Sequence, residues 1–151
     1  MAKKWHRAAR SRLSMELAGL SFAVAHGFTP RDYAAHLWGQ GAEAWMGKRN
    51  PNPSEYVQRE ALAMKTLFPG VDFQASLGDG RAAEIVFTRG CLGTWGEESW
   101  LTARKWGLTP EEVCSYCQEA FRLWASALEL EAEMTPGREG CFMRVIPRNE
   151  G

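Results

Sequence analysis

The chain has 151 residues, a length that fits one domain and allows a core large enough to fold without a disulfide or a metal. Eighteen basic residues balance eighteen acidic ones, so no overall positive charge attracts nucleic acid. No stretch reaches the roughly 18 uncharged apolar residues of a membrane span, so we expect a soluble protein without nucleic-acid or membrane partners.

The first predicted element is a helix over residues 3–26, in which apolar residues such as Leu13 and Leu20 recur at spacings of three and four. A basic cluster at its start could dock a protein partner or a second copy of the chain. It consists of Lys3, Lys4, Arg7, Arg10 and Arg12. This basic start and the "AVA" before His26 also fit a signal peptide. Because Glu16 interrupts the apolar stretch and a capped helix follows directly, we expect a cytoplasmic protein.

Two more helices are predicted, over about residues 30–46 and 54–67. The "TPRD" segment starts the second helix, with Thr29 as its cap and Pro30 at the first helical position. Ser54 is predicted to cap the third helix, which ends at "FPG". Residues 1–68 therefore form a helical part of the domain.

The pattern changes at residue 71, where "VDFQASL" and "AAEIVFT" alternate apolar and polar residues on either side of "GDG". This pattern predicts a β-hairpin. A short helix from about Glu97 to Trp106 follows, and a capping box of Thr109 with Glu112 starts a helix to about Leu128. "LELEAEM" and "CFMRVIP" form a second hairpin. Residues 1–151 are thus expected to be a single α+β domain, in which a helical layer packs on a small antiparallel sheet made of the two hairpins. Its part over 69–147 runs hairpin, helix, helix, hairpin.

Four cysteines are the first candidates for chemistry: Cys91, Cys114, Cys117 and Cys141. Disulfides are not favoured in the cytoplasm, so such cysteines are buried, bound to metal or reactive. Together the four could hold zinc or an iron–sulfur cluster. One of them could instead be a nucleophile, and Cys91 is better placed for this than Cys114 because it lies shortly before a helix. Cys117 fits simple packing best, since it falls on the apolar stripe of its helix.

Aromatic residues and one histidine provide further candidates. Seven tryptophans are many for this length, and Trp95, Trp100 and Trp124 could line a small-molecule pocket or simply fill the core. His36 is the one histidine that we consider as a general base, although most helical histidines lie on the surface or pack.

The second half of the chain, about residues 85–146, resembles a known family. "GCLGTW … RKWGLTPEEVCSYCQEAFRLWASALELEAEMTPGREGCFMRV" resembles the L-2-amino-thiazoline-4-carboxylic acid hydrolase-like family, with Cys91, Cys114 and Cys141 at its cysteine positions. Cys117 lies outside that pattern. The ending "LEAEMTPGREGCFMRV" is also similar to the close of the vinyl-reductase-type small-molecule-binding domain.

The first resemblance implies hydrolysis of a C–N bond in a small cyclic amidine or related substrate. A thiolate would attack the amidine carbon, or a metal held by cysteines would activate water. The second resemblance implies a non-enzymatic domain that binds or senses a small molecule in a tryptophan-lined pocket. The sequence leaves both alternatives open.

Overall fold

The computed structural model describes residues 2–39, 50–68, 71–88, 98–137 and 140–149. These residues form five helices and one four-stranded antiparallel sheet, which confirms the predicted α+β fold with a small sheet. In chain order the elements are α1 (Ala2–Ala25), α2 (Pro30–Trp38), α3 (Pro53–Leu67), β1 (Phe73–Ser76), β2 (Ala83–Phe87), α4 (Glu98–Lys105), α5 (Pro110–Ala127), β3 (Leu130–Pro136) and β4 (Cys141–Pro147).

Three helices begin with the same local structure, a capping box followed by proline. The box joins Thr29 with Asp32 in α2 and Thr109 with Glu112 in α5. The box of α5 and the cap at Thr29 were predicted, whereas the part of Asp32 in a box was not. In α3 the cap is Asn52, which pairs with Glu55, so the prediction of Ser54 as the cap was wrong. The reason is that Pro53 already occupies the first helical position, where its missing N–H costs nothing.

The predicted second helix is described only in part. Helix α2 ends at Trp38, where the N–H of Gly39 bonds to the carbonyl of Ala35. The stretch 40–46, which the sequence also assigns to this helix, lies outside the described residues.

The two predicted hairpins join into one sheet with the strand order β1-β2-β4-β3. Strand β2 pairs antiparallel with β4, so that Ile85 lies opposite Met143 and Phe87 opposite Cys141. These side chains are buried on the face that the helices cover. Glu131 and Glu133 of β3 are exposed, as their alternation predicts. Helix α3 packs on β1, β2 and β4, and helix α5 packs on β3.

The remaining helices form a layer around α5. Helix α2 packs on α5 and on α1, while α4 packs on α1 and α5. The core runs from Leu13, Leu17 and Leu20 of α1 to the covered face of the sheet. Among the described residues, no helix is both long and apolar enough to cross a membrane.

Candidate functional site

A cavity of about 280 Å³ lies within the helical layer. Each of the five described helices contributes to its wall, whereas none of the described strand residues does. Its volume is slightly below the range of about 300–1,000 Å³ that is typical of pockets for drug-sized molecules. The cavity therefore suits a compact ligand.

Aromatic side chains form much of the wall. Trp38 meets Trp124 edge to face, with ring centroids 4.9 Å apart, and Trp124 meets Phe121 in the same way at 5.1 Å. Trp100 and Phe68 also line the cavity. Such rings offer a flat apolar surface and a negative face to whatever lies against them.

One side of the cavity carries a chain of hydrogen bonds that links three helices. The indole N–H of Trp38 donates to the hydroxyl of Tyr116 at 2.8 Å, and that hydroxyl donates to Oε1 of Glu16. Burial raises the pKa of Tyr116 well above its ordinary value, and the charge of Glu16 is the second cause of this rise. Tyr116 is therefore a neutral donor at physiological pH, and these hydrogen bonds hold the Trp38 ring in place.

A second tyrosine holds α2 against α1. The hydroxyl of Tyr33 donates to the backbone carbonyl of Glu16 at 3.0 Å. This close approach requires Gly19, because a Cβ at that position would lie 2.4 Å from the Tyr33 hydroxyl oxygen. Gly19 thus lets Tyr33 reach α1 and keeps α2 beside the cavity.

Arg12 completes the polar side. Its guanidinium donates to Oε2 of Glu16 at 2.8 Å, and its centre lies 5.2 Å from the centroid of the Phe68 ring. The Arg12 charge is therefore balanced by Glu16 within the cavity wall. The buried Nε of Arg12 has no hydrogen-bond partner among the described residues.

Glu60 stands out among the residues of the wall, because it is a fully buried carboxylic acid. It has no exposed surface, and within the described part of the chain neither carboxyl oxygen has a hydrogen-bond partner of ordinary geometry. Burial raises the pKa of Glu60 to about 8, although the nearby Tyr56 hydroxyl acts in the opposite direction. The carboxyl is therefore mainly protonated at neutral pH.

The three described cysteines lie at different depths and none of them forms a disulfide. Cys117 is buried and lines the cavity, Cys141 is buried at the start of β4, and Cys114 is half-buried on α5. Burial is the main reason why the pKa of the Cys141 thiol rises to about 11, and the neighbouring Cys114 is the second. Burial also raises the pKa of Cys117 well above its usual value. Both side chains are thus neutral thiols at physiological pH.

The described residues do not by themselves form a metal site. Within these ranges, no three histidine, cysteine, aspartate or glutamate side chains converge to hold a metal ion. Cys91 lies outside the described residues. The predicted four-cysteine site for zinc or an iron–sulfur cluster therefore stays a prediction.

The other predicted site residues separate into two groups. Trp100 and Trp124 line the cavity, where a pocket wall was expected. His36 is exposed on α2 and does not line the cavity, and Trp95 lies outside the described residues.

Sequence analysis missed Glu60, although a signal for it exists. Glu60 lies one turn after Tyr56 and one turn before Met64 on α3, so it falls on the buried stripe of that helix. Glu16 similarly lies among Leu13, Leu17 and Leu20, where its acidic side chain interrupts an apolar face. A carboxyl at an apolar position is the feature that could have identified both.

Comparisons with protein-family models, curated proteins and solved structures found no match for this chain. Both resemblances noted from the sequence therefore stay predictions.

Proposed function

We propose that this protein binds a small, largely apolar molecule in the cavity of its helical layer. The observation that carries the proposal is an aromatic-walled cavity of about 280 Å³. An apolar ligand that enters such a space leaves water, and each buried CH₂ group contributes roughly 0.8 kcal/mol. The proposal matches the small-molecule-binding alternative from the sequence and extends its pocket wall to Trp38 and Phe121.

The charge state of Cys117 and Cys141 favours binding over hydrolysis by either of these two thiols. A thiolate is the nucleophilic form of cysteine, and a raised pKa makes it scarce. The pKa of Cys141 is raised to about 11, and that of Cys117 is raised as well. Neither thiol is thus prepared to attack a substrate at neutral pH. A hydrolase that uses Cys91, Cys114 or a cysteine-bound metal is the competing proposal.

Calorimetric titration with 2-phenylethanol tests the binding proposal. This probe has an aromatic body and one neutral polar group, so it needs no charged partner. We expect saturable binding to the wild-type protein. Ala120→Leu should weaken or abolish that binding, because Ala120 lines the cavity and a larger side chain would fill it.

Ala127→Leu is the matched control for this variant. Ala127 lies on the same helix but is exposed, so its replacement should leave binding unchanged. Equal binding by both variants would contradict the proposal, as would no binding by the wild-type protein.

Replacement of cysteines tests whether the thiols take part in ligand binding. We expect Cys91→Ser and Cys141→Ser to retain affinity for 2-phenylethanol, because neither thiol is needed to hold an apolar ligand. Elemental analysis of protein purified without oxygen provides the second readout. About one zinc, or iron with a broad visible absorption band, would favour the metal-dependent hydrolase instead.

We also propose that the protein is cytoplasmic and that a protein partner or a second copy of the chain docks on α1. Lys3, Lys4 and Arg7 are exposed on α1 and remain available to a protein partner or a second copy. Arg12 of the same basic cluster lines the cavity and pairs with Glu16, so it is not counted among the residues that would meet such a partner.

A further inference from the structure

The polar groups of the cavity differ in whether the protein already satisfies them. The Glu16 carboxylate accepts hydrogen bonds from Arg12 and Tyr116, and Arg12 supplies its counter-charge. Glu60 has neither a hydrogen-bond partner of ordinary geometry nor an ion-pair partner among the described residues. A buried carboxyl left in this way costs stability unless something pairs with it.

Aromatic side chains line the same cavity as Glu60. Trp38, Trp100 and Trp124 contribute to the wall, together with the rings of Phe68 and Phe121. The faces of such rings attract cations, and tryptophan does so most strongly. A carboxyl together with several aromatic faces is the combination that recognises an organic cation.

We propose, resting on the proposed function, that the ligand is an apolar amine bound as its ammonium cation. The charged group of the amine pairs with Glu60, and its apolar body lies against the tryptophans. A carboxylate ligand fits the cavity less well, because the charge of Arg12 is already balanced by Glu16. A purely neutral ligand would leave Glu60 without the charge partner that its carboxylate form needs.

The proton of Glu60 gives this binding mode a signature. With a pKa of about 8, the carboxyl of the free protein is mainly protonated at neutral pH. An ammonium cation favours the ionised form, so binding should drive a proton from Glu60 into the buffer.

Other titratable groups lie on the elements around Glu60. Tyr56 lies on its own helix, Arg12 and Glu16 belong to α1, and Tyr116 and Cys117 belong to α5. In the described strands of the sheet, Cys141 is the buried side chain that can titrate. Tyr116, Cys117 and Cys141 have raised pKa values and stay neutral near pH 7.

The test compares three probes of similar shape by calorimetry: 2-phenylethylamine, 2-phenylethanol and phenylacetate. At about pH 7 the wild-type protein should bind the amine tighter than the alcohol by about tenfold or more, which corresponds to roughly 1.4 kcal/mol. Phenylacetate should bind most weakly. Titration of the amine in phosphate and in ACES, which differ in ionisation enthalpy, should show release of close to one proton.

Glu60→Gln keeps the shape of the side chain and removes its charge. This variant should lose both the preference for the amine over the alcohol and the proton release. Glu131→Gln, which changes an exposed glutamate on β3, should retain both. Near-ultraviolet circular dichroism of each variant checks that the fold is kept.

The outcomes separate this inference from the proposed function. If the alcohol binds but the amine binds no tighter, or if Glu60→Gln keeps the preference, the amine proposal is overturned while the binding function stands. If neither probe binds, both proposals are overturned.

Discussion

At the scale of single residues, the cavity wall contains one carboxyl that folding alone does not explain. Glu60 occupies a position on α3 where an apolar residue would pack at lower cost, between Val57 and Met64 on the buried stripe. Burial of an unpaired polar group opposes folding by about 1–3 kcal/mol or more. We infer that Glu60 is present because a ligand uses it.

The first residue-scale prediction concerns how stability depends on pH. The pKa of Glu60 is raised to about 8 in the folded protein from an ordinary value of 4.5, so between these values the folded state holds a proton that the unfolded state has lost. Stability due to Glu60 is therefore present at low pH and falls as pH rises through this window, by up to about 1.4 kcal/mol per pH unit.

Urea unfolding of wild-type protein and Glu60→Gln at several pH values between these limits measures this effect. The variant should be the more stable protein at the upper end of the window, and its advantage should shrink towards the lower end. Glu131→Gln should follow the wild-type curve. A constant difference between Glu60→Gln and wild type across the window would contradict the assigned protonation state.

A second residue-scale prediction concerns Tyr116. Tyr116→Phe removes the hydroxyl that joins Trp38 to Glu16, so an indole N–H and a carboxylate oxygen each lose a partner. We expect a loss of about 1–3 kcal/mol in the free energy of unfolding. Denaturant unfolding measures this change.

Tyr56→Phe is the matched control for Tyr116→Phe. The Tyr56 hydroxyl is buried without a hydrogen-bond partner of ordinary geometry among the described residues. Its removal should therefore cost much less. A larger loss for Tyr56→Phe than for Tyr116→Phe would mean that the hydrogen-bond chain contributes little to stability.

At the scale of elements, short local sequences specify where the helices start. Thr109, Pro110 and Glu112 specify the start of α5 without reference to the rest of the chain. For the same reason the hairpins were predicted correctly, since alternation and the "GDG" turn are local signals. Ser54 was wrongly chosen as the cap of α3 because Asn52 and Ser54 are both good caps, and only the position of Pro53 distinguishes them.

The element-scale prediction tests the cap of α5, the helix that contributes most residues to the cavity wall. Thr109→Ala removes the oxygen that accepts from the N–H of Glu112 and should cost about 1 kcal/mol of stability. Thr109→Ser keeps that oxygen and should remain close to wild type. Thermal unfolding of both variants checks this, and equal losses would show that the hydroxyl does not act as a cap.

At the scale of the whole molecule, the full set of residues in the cavity wall could not be predicted, because it depends on contacts between distant segments. Trp38 and Tyr116, which meet in its wall, are 78 residues apart in the chain, and Glu16 and Tyr116 are 100 apart. Trp100 and Trp124 were expected in a pocket from their residue type alone, and both line the cavity. The position of Glu60 on the buried stripe of α3 indicates that it is buried, but no local spacing indicates that it lines this cavity.

The central claim, that this cavity takes up a small ligand, is tested most directly by methionine methyl NMR during a titration with 2-phenylethanol. Met64 lines the cavity, whereas Met15 is 73% exposed on α1. We expect the methyl signal of Met64 to shift and saturate while that of Met15 stays in place. A titration that leaves Met64 unmoved, or that moves only Met15, would contradict the assignment of the cavity as a binding site.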